Sequence, residues 1–212
     1  MNKGVHMFIT GTDTGVGKTR ITSILSKKLS QTGHTVITQK WVQTGAIEPE
    51  DLREHDRWRE DSNQLNPSLL AIRCPYIFPN PVSPHVAAKQ ANQVISIDHI
   101  TLCFKQLSNH FDHVVVEGAG GTLVPLTDTK LLIDVAIALR LDIVVVSANR
   151  VGAINHTLLT VYDLQRRGAS IMGIVWNNLD PTAPPLALED NPTTVARLTG
   201  LKDLTNHMLF SD

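Results

Sequence analysis

Five short runs of β-branched and aliphatic residues constrain the fold more than any other feature. They are Val5–Thr10, Thr35–Thr38, His113–Val116, Ile143–Val146 and Ile171–Val175. Most are continuous in polarity rather than alternating. A strand with one wet face alternates, whereas a strand buried on both faces does not, and such strands belong to parallel sheets covered by helices. Helical spacing fills the gaps. Thr19–Ser30 carries Ile21, Ile24, Leu25 and Leu29 on one face, with Gly33 as a stop. Ile97–His110 groups Ile100, Phe104 and Leu107, and Leu131–Leu139 and Asn155–Arg167 complete the set. This alternation predicts an α/β fold with a doubly wound, mostly parallel sheet and helices on both faces.

Composition agrees with one such domain over residues 1–212, because 42% of the chain is hydrophobic and only 18% is charged. Lys plus Arg is 19 and Asp plus Glu is 20, a net charge of −1. That balance argues against bulk electrostatic binding of nucleic acid or an anionic membrane, while leaving room for a local anion site. Cys74 and Cys103 form no C-x-x-C pair, so neither a disulfide framework nor a zinc site is expected. Reduced thiols, the lack of a signal-peptide pattern and the lack of an apolar run near about 20 residues predict a cytoplasmic protein. The stretch from Ile47 to Pro84 holds six prolines and little periodicity, and reads as a long active-site excursion with one short helix near Leu52–Arg59. Asp180–Pro192 is also proline-rich and precedes a final short helix.

The chemistry starts at Gly11-Thr-Asp-Thr-Gly-Val-Gly17-Lys18-Thr19, which matches G-x-x-x-x-G-K-[ST] between a strand and a helix. Glycines let the backbone fold tightly with its amides turned toward phosphate oxygens, and the helix N-terminus adds roughly half a positive charge. Lys18 is placed to reach the β- and γ-phosphates, and the Thr19 hydroxyl to ligate Mg²⁺. The loop implies a nucleoside triphosphate site without saying what the triphosphate is used for. Lys40 ends the second strand, where ligands gather in open α/β sheets, and suits a γ-phosphate or a carboxylated substrate. Glu117 ends a buried strand ahead of Gly118-Ala119-Gly120-Gly121, where a metal-directed acid belongs. Ser83-Pro84 reads as a helix start, Gly152–Asn155 as backbone amides suited to a carboxylate, and Asn177 either as a turn former or as a reader of a nucleobase edge.

Taken in order, Gly11–Thr19, Lys40 with Val42 and Gly45, Ser83-Pro84-His85, Val116–Gly121, Pro125-Leu126 and Gly152–His156 resemble the dethiobiotin synthetases. The resemblance implies an ATP- and Mg²⁺-dependent homodimer acting on 7,8-diaminononanoate and CO₂. One amine becomes a carbamate, the carbamate oxygen attacks the γ-phosphate of ATP, and the second amine closes a cyclic urea with loss of phosphate. It further implies nucleotide contacts from Thr14, Gly15, Val16, Gly17, Lys18, Thr19, Glu117, Gly118, Ala119, Gly120 and Asn177. Lys18 and Lys40 would stabilise the transferring phosphoryl group. Mg²⁺ would be held by Thr19, Asp56 and Glu117, with Asp61 as the alternative to Asp56. Lys40, Thr44 and Ser83 would line the substrate site, and the amides around Gly152 and Asn155 would take the substrate carboxylate from the other subunit.

Two departures accompany the resemblance. Trp41 stands where the family usually has Pro, so a bulky indole is expected to alter the loop and the substrate pocket. The family's C-terminal G-x-[IL]-P segment, which helps wrap the base, has no counterpart in Leu198–Asp203, so looser base contacts are expected. The competing readings are a nucleotide-gated switch ATPase, against which Thr12 stands where such loops often carry Lys, and a repurposed paralogue of the same superfamily.

Overall fold

The computed structural model describes residues 4–59 and 67–206. Five parallel strands form the central sheet in the order β2-β5-β1-β6-β7. They are β1 (Met7–Gly11), β2 (Val36–Lys40), β5 (His113–Glu117), β6 (Asp142–Ala148) and β7 (Ile171–Asn177). All five expected runs are strands, each shifted or lengthened by one or two residues. Their continuous apolarity has the expected cause, since every residue of β1, β2 and β5 is buried. Side chains alternate between two cores. Phe8, Ile37, Val114, Val116, Val145 and Trp176 face α5 (Ile97–Ser108), α6 (Leu132–Ala138) and α7 (Ala153–Arg166). Met7, Ile9, Val36, Val115, Val144 and Val175 face α1 (Lys18–Gln31) through Ile21 and Leu25.

The proline-rich excursion holds more regular structure than its sequence suggests. A short β3 (Val42–Thr44) follows β2, then α2 (Glu50–His55), α3 (Pro67–Arg73), β4 (Tyr76–Phe78) and α4 (Pro84–Gln90). β3 and β4 pair in parallel as a separate ribbon, with Thr44 opposite Phe78. The excursion is fastened to the outer edge of β2 by arginines. Arg73 Nε donates to the Thr38 carbonyl at 2.9 Å, and Arg59 Nη2 donates to the Val36 carbonyl at 2.5 Å.

The last helix is also longer than expected. α8 runs Pro185–Thr199 and carries Pro192 in its interior. A helix-internal proline has no N–H for the carbonyl four residues back, here that of Leu188. Asn149 Nδ2 supplies the missing donor to the Leu188 carbonyl at 3.0 Å. Asn191 Nδ2 holds that asparagine in place through Asn149 Oδ1 at 2.8 Å. Beyond α8, the chain lies along the free edge of β7. Ile174 N donates to the Lys202 carbonyl at 2.9 Å, Leu204 N to the Ile174 carbonyl at 2.8 Å, and Trp176 N to Thr205 Oγ1 at 2.9 Å. The segment that has no family motif in sequence therefore has a definite place at the sheet edge.

The expectation for Trp41 is corrected. The indole is fully buried, packs on the Phe8 ring at 5.2 Å between centroids and donates to Gln39 Oε1 at 3.0 Å. It lies at the bend between β2 and β3 and fills the core rather than the pocket, while the preceding Lys40 lines the cleft. Trp41→Ala is expected to lower the unfolding free energy by about 3–5 kcal/mol, read by equilibrium urea denaturation. A loss under about 1 kcal/mol would show that the indole is not packed as described.

Candidate active site

The carboxyl ends of β1, β2 and β5 open into one cleft of about 300 Å³. Thr14, Gly15, Gly17, Lys18, Thr19, Lys40, Thr44, Asp51, Glu117, Ala119 and Gly120 line it. The phosphate loop enters from β1. Gly17 has φ of 94° and precedes α1, a backbone conformation that side chains avoid. A Cβ there would also fall 2.0 Å from Asn177 Nδ2, so only glycine fits. No side chain caps α1, which leaves its first amides free for an anion. Lys18 Nζ lies across the loop and donates to the Asp13 carbonyl at 3.0 Å. Burial pushes the pKa of this ammonium down to about 8, despite nearby Glu117.

Glu117 is the hub of the site. Sheet register sets Lys40 directly opposite it on β2. Lys40 Nζ donates to Glu117 Oε1 at 2.7 Å, and Thr19 Oγ1 donates to the same oxygen at 3.1 Å. His55 Nε2 meets the other oxygen at 2.5 Å. Lys40 also pairs with Asp51. Burial alone would raise the carboxyl, yet Lys40 and His55 outweigh it and hold Glu117 down at about 2. For Lys40, burial works to lower the pKa, but the Glu117 and Asp51 carboxylates prevail and raise it.

Several expected residues are not among those lining the cleft. Val16 belongs to the α1-side core, and its carbonyl accepts from Asn177 Nδ2 at 3.0 Å. Asn177 thereby braces the phosphate loop with its amide. Gly118 N donates to the Ile9 carbonyl at 2.9 Å, and a Cβ on Gly118 would meet the Phe8 ring. Ser83 precedes α4 as expected, but its side chain makes no capping bond and it is not among the cleft residues. Gly152 and Asn155 lie exposed at the start of α7, away from the cleft of the same chain. Asp61 lies outside the described residues.

Asp56, expected to hold a metal, is placed outside the cleft, on two arginines. Arg73 is fully buried and needs a counter-charge, and its Nη1 takes Asp56 Oδ2 at 2.7 Å. Arg59 Nε takes Asp56 Oδ1 at 3.2 Å, so both oxygens are engaged outside the cleft. Asp56 follows the last residue of α2, whereas Asp51 and His55 sit one helical turn apart on the same face. Reading α2 from Pro49 rather than from Leu52 would have paired these two in the sequence. Among the described residues no three His, Cys, Asp or Glu side chains gather into a metal cage. Mg²⁺ does not need one. It takes hard oxygen ligands, keeps waters, and shares the rest with substrate phosphates. The Thr19 hydroxyl with the Glu117 and Asp51 carboxylates is such a donor set. Asp51→Asn is expected to keep the melting temperature and to lose metal-dependent nucleotide binding by tenfold or more. Asp56→Asn is expected to lose about 3 kcal/mol of stability or more, because Arg73 is left buried without its partner. Calorimetric titration and thermal melts of the two variants separate these outcomes, and the reverse pattern would place Asp56 rather than Asp51 at the metal.

The chain matches a family described as an AAA domain over residues 6–206. It is 40% identical over 193 residues to the ATP-dependent dethiobiotin synthetase BioD of Anaeromyxobacter sp. (strain K), covering 91% of this chain and 85% of that protein. It is 38% identical over 171 residues to ATP-dependent dethiobiotin synthetase BioD 2 of Pasteurella multocida, covering 80% of each. Among solved structures, the cell division protein MinD of Aquifex aeolicus superposes with a TM-score of 0.58 at 13% identity, over 95% of this chain and 80% of that one. A ParA family ATPase of Chlorobium tepidum TLS gives 0.55 at 14% identity, over 95% and 83%. The two structural likenesses establish a shared phosphate-loop α/β fold, and by sequence this chain belongs to the ATP-dependent dethiobiotin synthetase family.

Proposed function

We propose that this chain is an ATP- and Mg²⁺-dependent cyclo-ligase that forms the ureido ring of dethiobiotin from 7,8-diaminononanoate and CO₂. The observation that carries the reading is the second buried ammonium. Lys40, at the end of β2, faces the same cleft as Lys18, at the start of α1. A phosphate loop needs one lysine for the triphosphate. A further cation beside the γ-phosphate position suits an acceptor that is itself anionic, as a carbamate is.

The chemistry then follows from charge and position. An amine of the substrate adds to CO₂ and gives a carbamate. Its oxygen attacks the γ-phosphorus, with ADP as the leaving group. The second amine attacks the carbamoyl carbon, the C–O bond to phosphate breaks, and the cyclic urea is released with inorganic phosphate. Lys18 neutralises the triphosphate side of the transfer, and Lys40 holds the acceptor oxygen close to the phosphorus. Loose phosphoryl transfer of this kind is accelerated mainly by such positioning and electrostatics. Thr19, Glu117 and Asp51 would hold Mg²⁺, which when bound neutralises charge on the phosphate oxygens. Thr44 borders the acceptor side of the cleft.

A homodimer completes the reading. Gly152 and Asn155 are exposed, and the neighbouring Val151 and Leu159 are 70% and 64% exposed although apolar. An apolar rim beside the start of α7 supports the approach of a second copy, whose bound substrate would present its carboxylate to the amides around Gly152 and Asn155. Among the described residues no helix is long and apolar enough to cross a membrane. The net charge of −1 provides no bulk field for nucleic acid or an anionic membrane, in keeping with a cytoplasmic enzyme of small molecules.

The deciding experiment is phosphate release with ATP, Mg²⁺ and bicarbonate, with and without 7,8-diaminononanoate, and mass spectrometry of the product. Diamine-dependent release with cyclic urea is expected, and Lys18→Ala is expected to fall below a tenth of the wild-type rate. Hydrolysis indifferent to the diamine would favour a nucleotide-gated switch or a repurposed paralogue.

A further inference from the structure

We infer that His55 is a positioning residue: through its Nε2–H it fixes the rotation of the Glu117 carboxylate, so that Oε1 stays turned toward Thr19 and Lys40. The inference rests on the phosphate-loop reading of the cleft and extends it to a residue outside the lining. His55 is fully buried, and its Nε2 lies 2.5 Å from Glu117 Oε2. An ionised carboxylate only accepts hydrogen bonds, so Nε2 carries the proton. The terminal torsion of a glutamate is broad and weakly staggered, so it must be set from outside. Thr19 and Lys40 both engage Oε1. His55 alone engages Oε2, and without it nothing described keeps the two oxygens from exchanging places.

A second observation separates this role from mere packing. His55 Nδ1 is buried and has no hydrogen-bond partner. An apolar side chain would fill the space without leaving a polar atom unsatisfied, so the benefit of an imidazole lies in the Nε2 contact. The backbone supports the same reading. Ser23 Oγ on α1 donates to the Glu54 carbonyl at 3.0 Å and to the His55 carbonyl at 3.2 Å. The helix that carries Lys18 and Thr19 is thereby tied to the residue that aims Glu117.

The test compares His55→Gln with His55→Asn. The amide nitrogen of Gln reaches the Nε2 position, and that of Asn stops near Nδ1. Mn²⁺ binding to the ADP complex is read by electron paramagnetic resonance, alongside thermal melts and the Mg²⁺ dependence of turnover. Loss of a hydrogen bond that orients a metal ligand typically weakens metal binding 10–100-fold. His55→Asn is expected to show that loss, with the diamine KM unchanged, and His55→Gln to stay within about threefold of wild type. Folded His55→Asn within twofold of wild type, or folded His55→Gln as weak as His55→Asn, overturns the inference. If His55→Asn does not fold, His55→Gln decides alone: within threefold supports the role, and a loss beyond tenfold overturns it. Mn²⁺ binding to the ADP complex needs no second substrate. A wild-type protein without diamine-dependent turnover would therefore overturn the ligase reading and leave this outcome legible.

Discussion

A carboxylate taken out of water must be compensated, and the site is organised around one such group. Glu117 is 2% exposed and ends a strand whose other residues are all buried. Left alone it would take up a proton rather than stay charged. It remains an anion because β2 runs beside β5 in a register that sets Lys40 opposite it. The pairing of two strands thus determines the electrostatics of the cleft. Lys40 is in turn held between Glu117 and Asp51, so the excursion that carries Asp51 is part of the same charge balance.

The phosphate loop meets this hub through Thr19 and is itself held from the far side of the sheet. Asn177 on β7 binds the Val16 carbonyl, and Thr10 and Thr122 share a hydrogen bond at 3.1 Å that joins β1 to the glycine loop after β5. The loop is therefore fixed by neighbours at three strand ends before any nucleotide arrives. Such preorganisation is what charge-stabilising sites require, because dipoles already in place need no reorganisation when charge develops.

The sheet and the cleft were legible in the sequence to different depths. Unbroken apolar runs report burial on both faces directly, so the five parallel strands could be read from residues alone. The phosphate loop, Lys40 and Glu117 could be found because each sits at the end of a strand that the apolar runs locate, whereas Thr44 came from the family resemblance alone, its strand β3 being too short to read. The Ile47–Pro84 excursion resisted for a physical reason. Its order depends on Arg73 and Asp56, a buried pair whose partners are distant in sequence from the strand they cover. Asp56 carries the right charge in nearly the right place, and only the helical phase of α2 decides that Asp51 lines the cleft and His55 meets Glu117 beneath it. Pro192 misled in the opposite sense. A proline normally stops a helix, but a side-chain amide 43 residues earlier replaces the lost donor, and no local rule sees that contact.

Both borders of the central sheet are occupied from within the chain. On the β2 side, guanidinium groups of Arg59 and Arg73 cap the outward carbonyls of Val36 and Thr38. On the β7 side, residues Lys202–Thr205 occupy the outward backbone groups of Ile174 and Trp176. An uncovered strand border is a template for adding foreign strands, and proteins usually blunt it. Here the two borders are closed by unlike means, one by cationic side chains and one by backbone. A foreign strand added at either border would first have to displace these groups, so each border is closed to easy extension of the sheet.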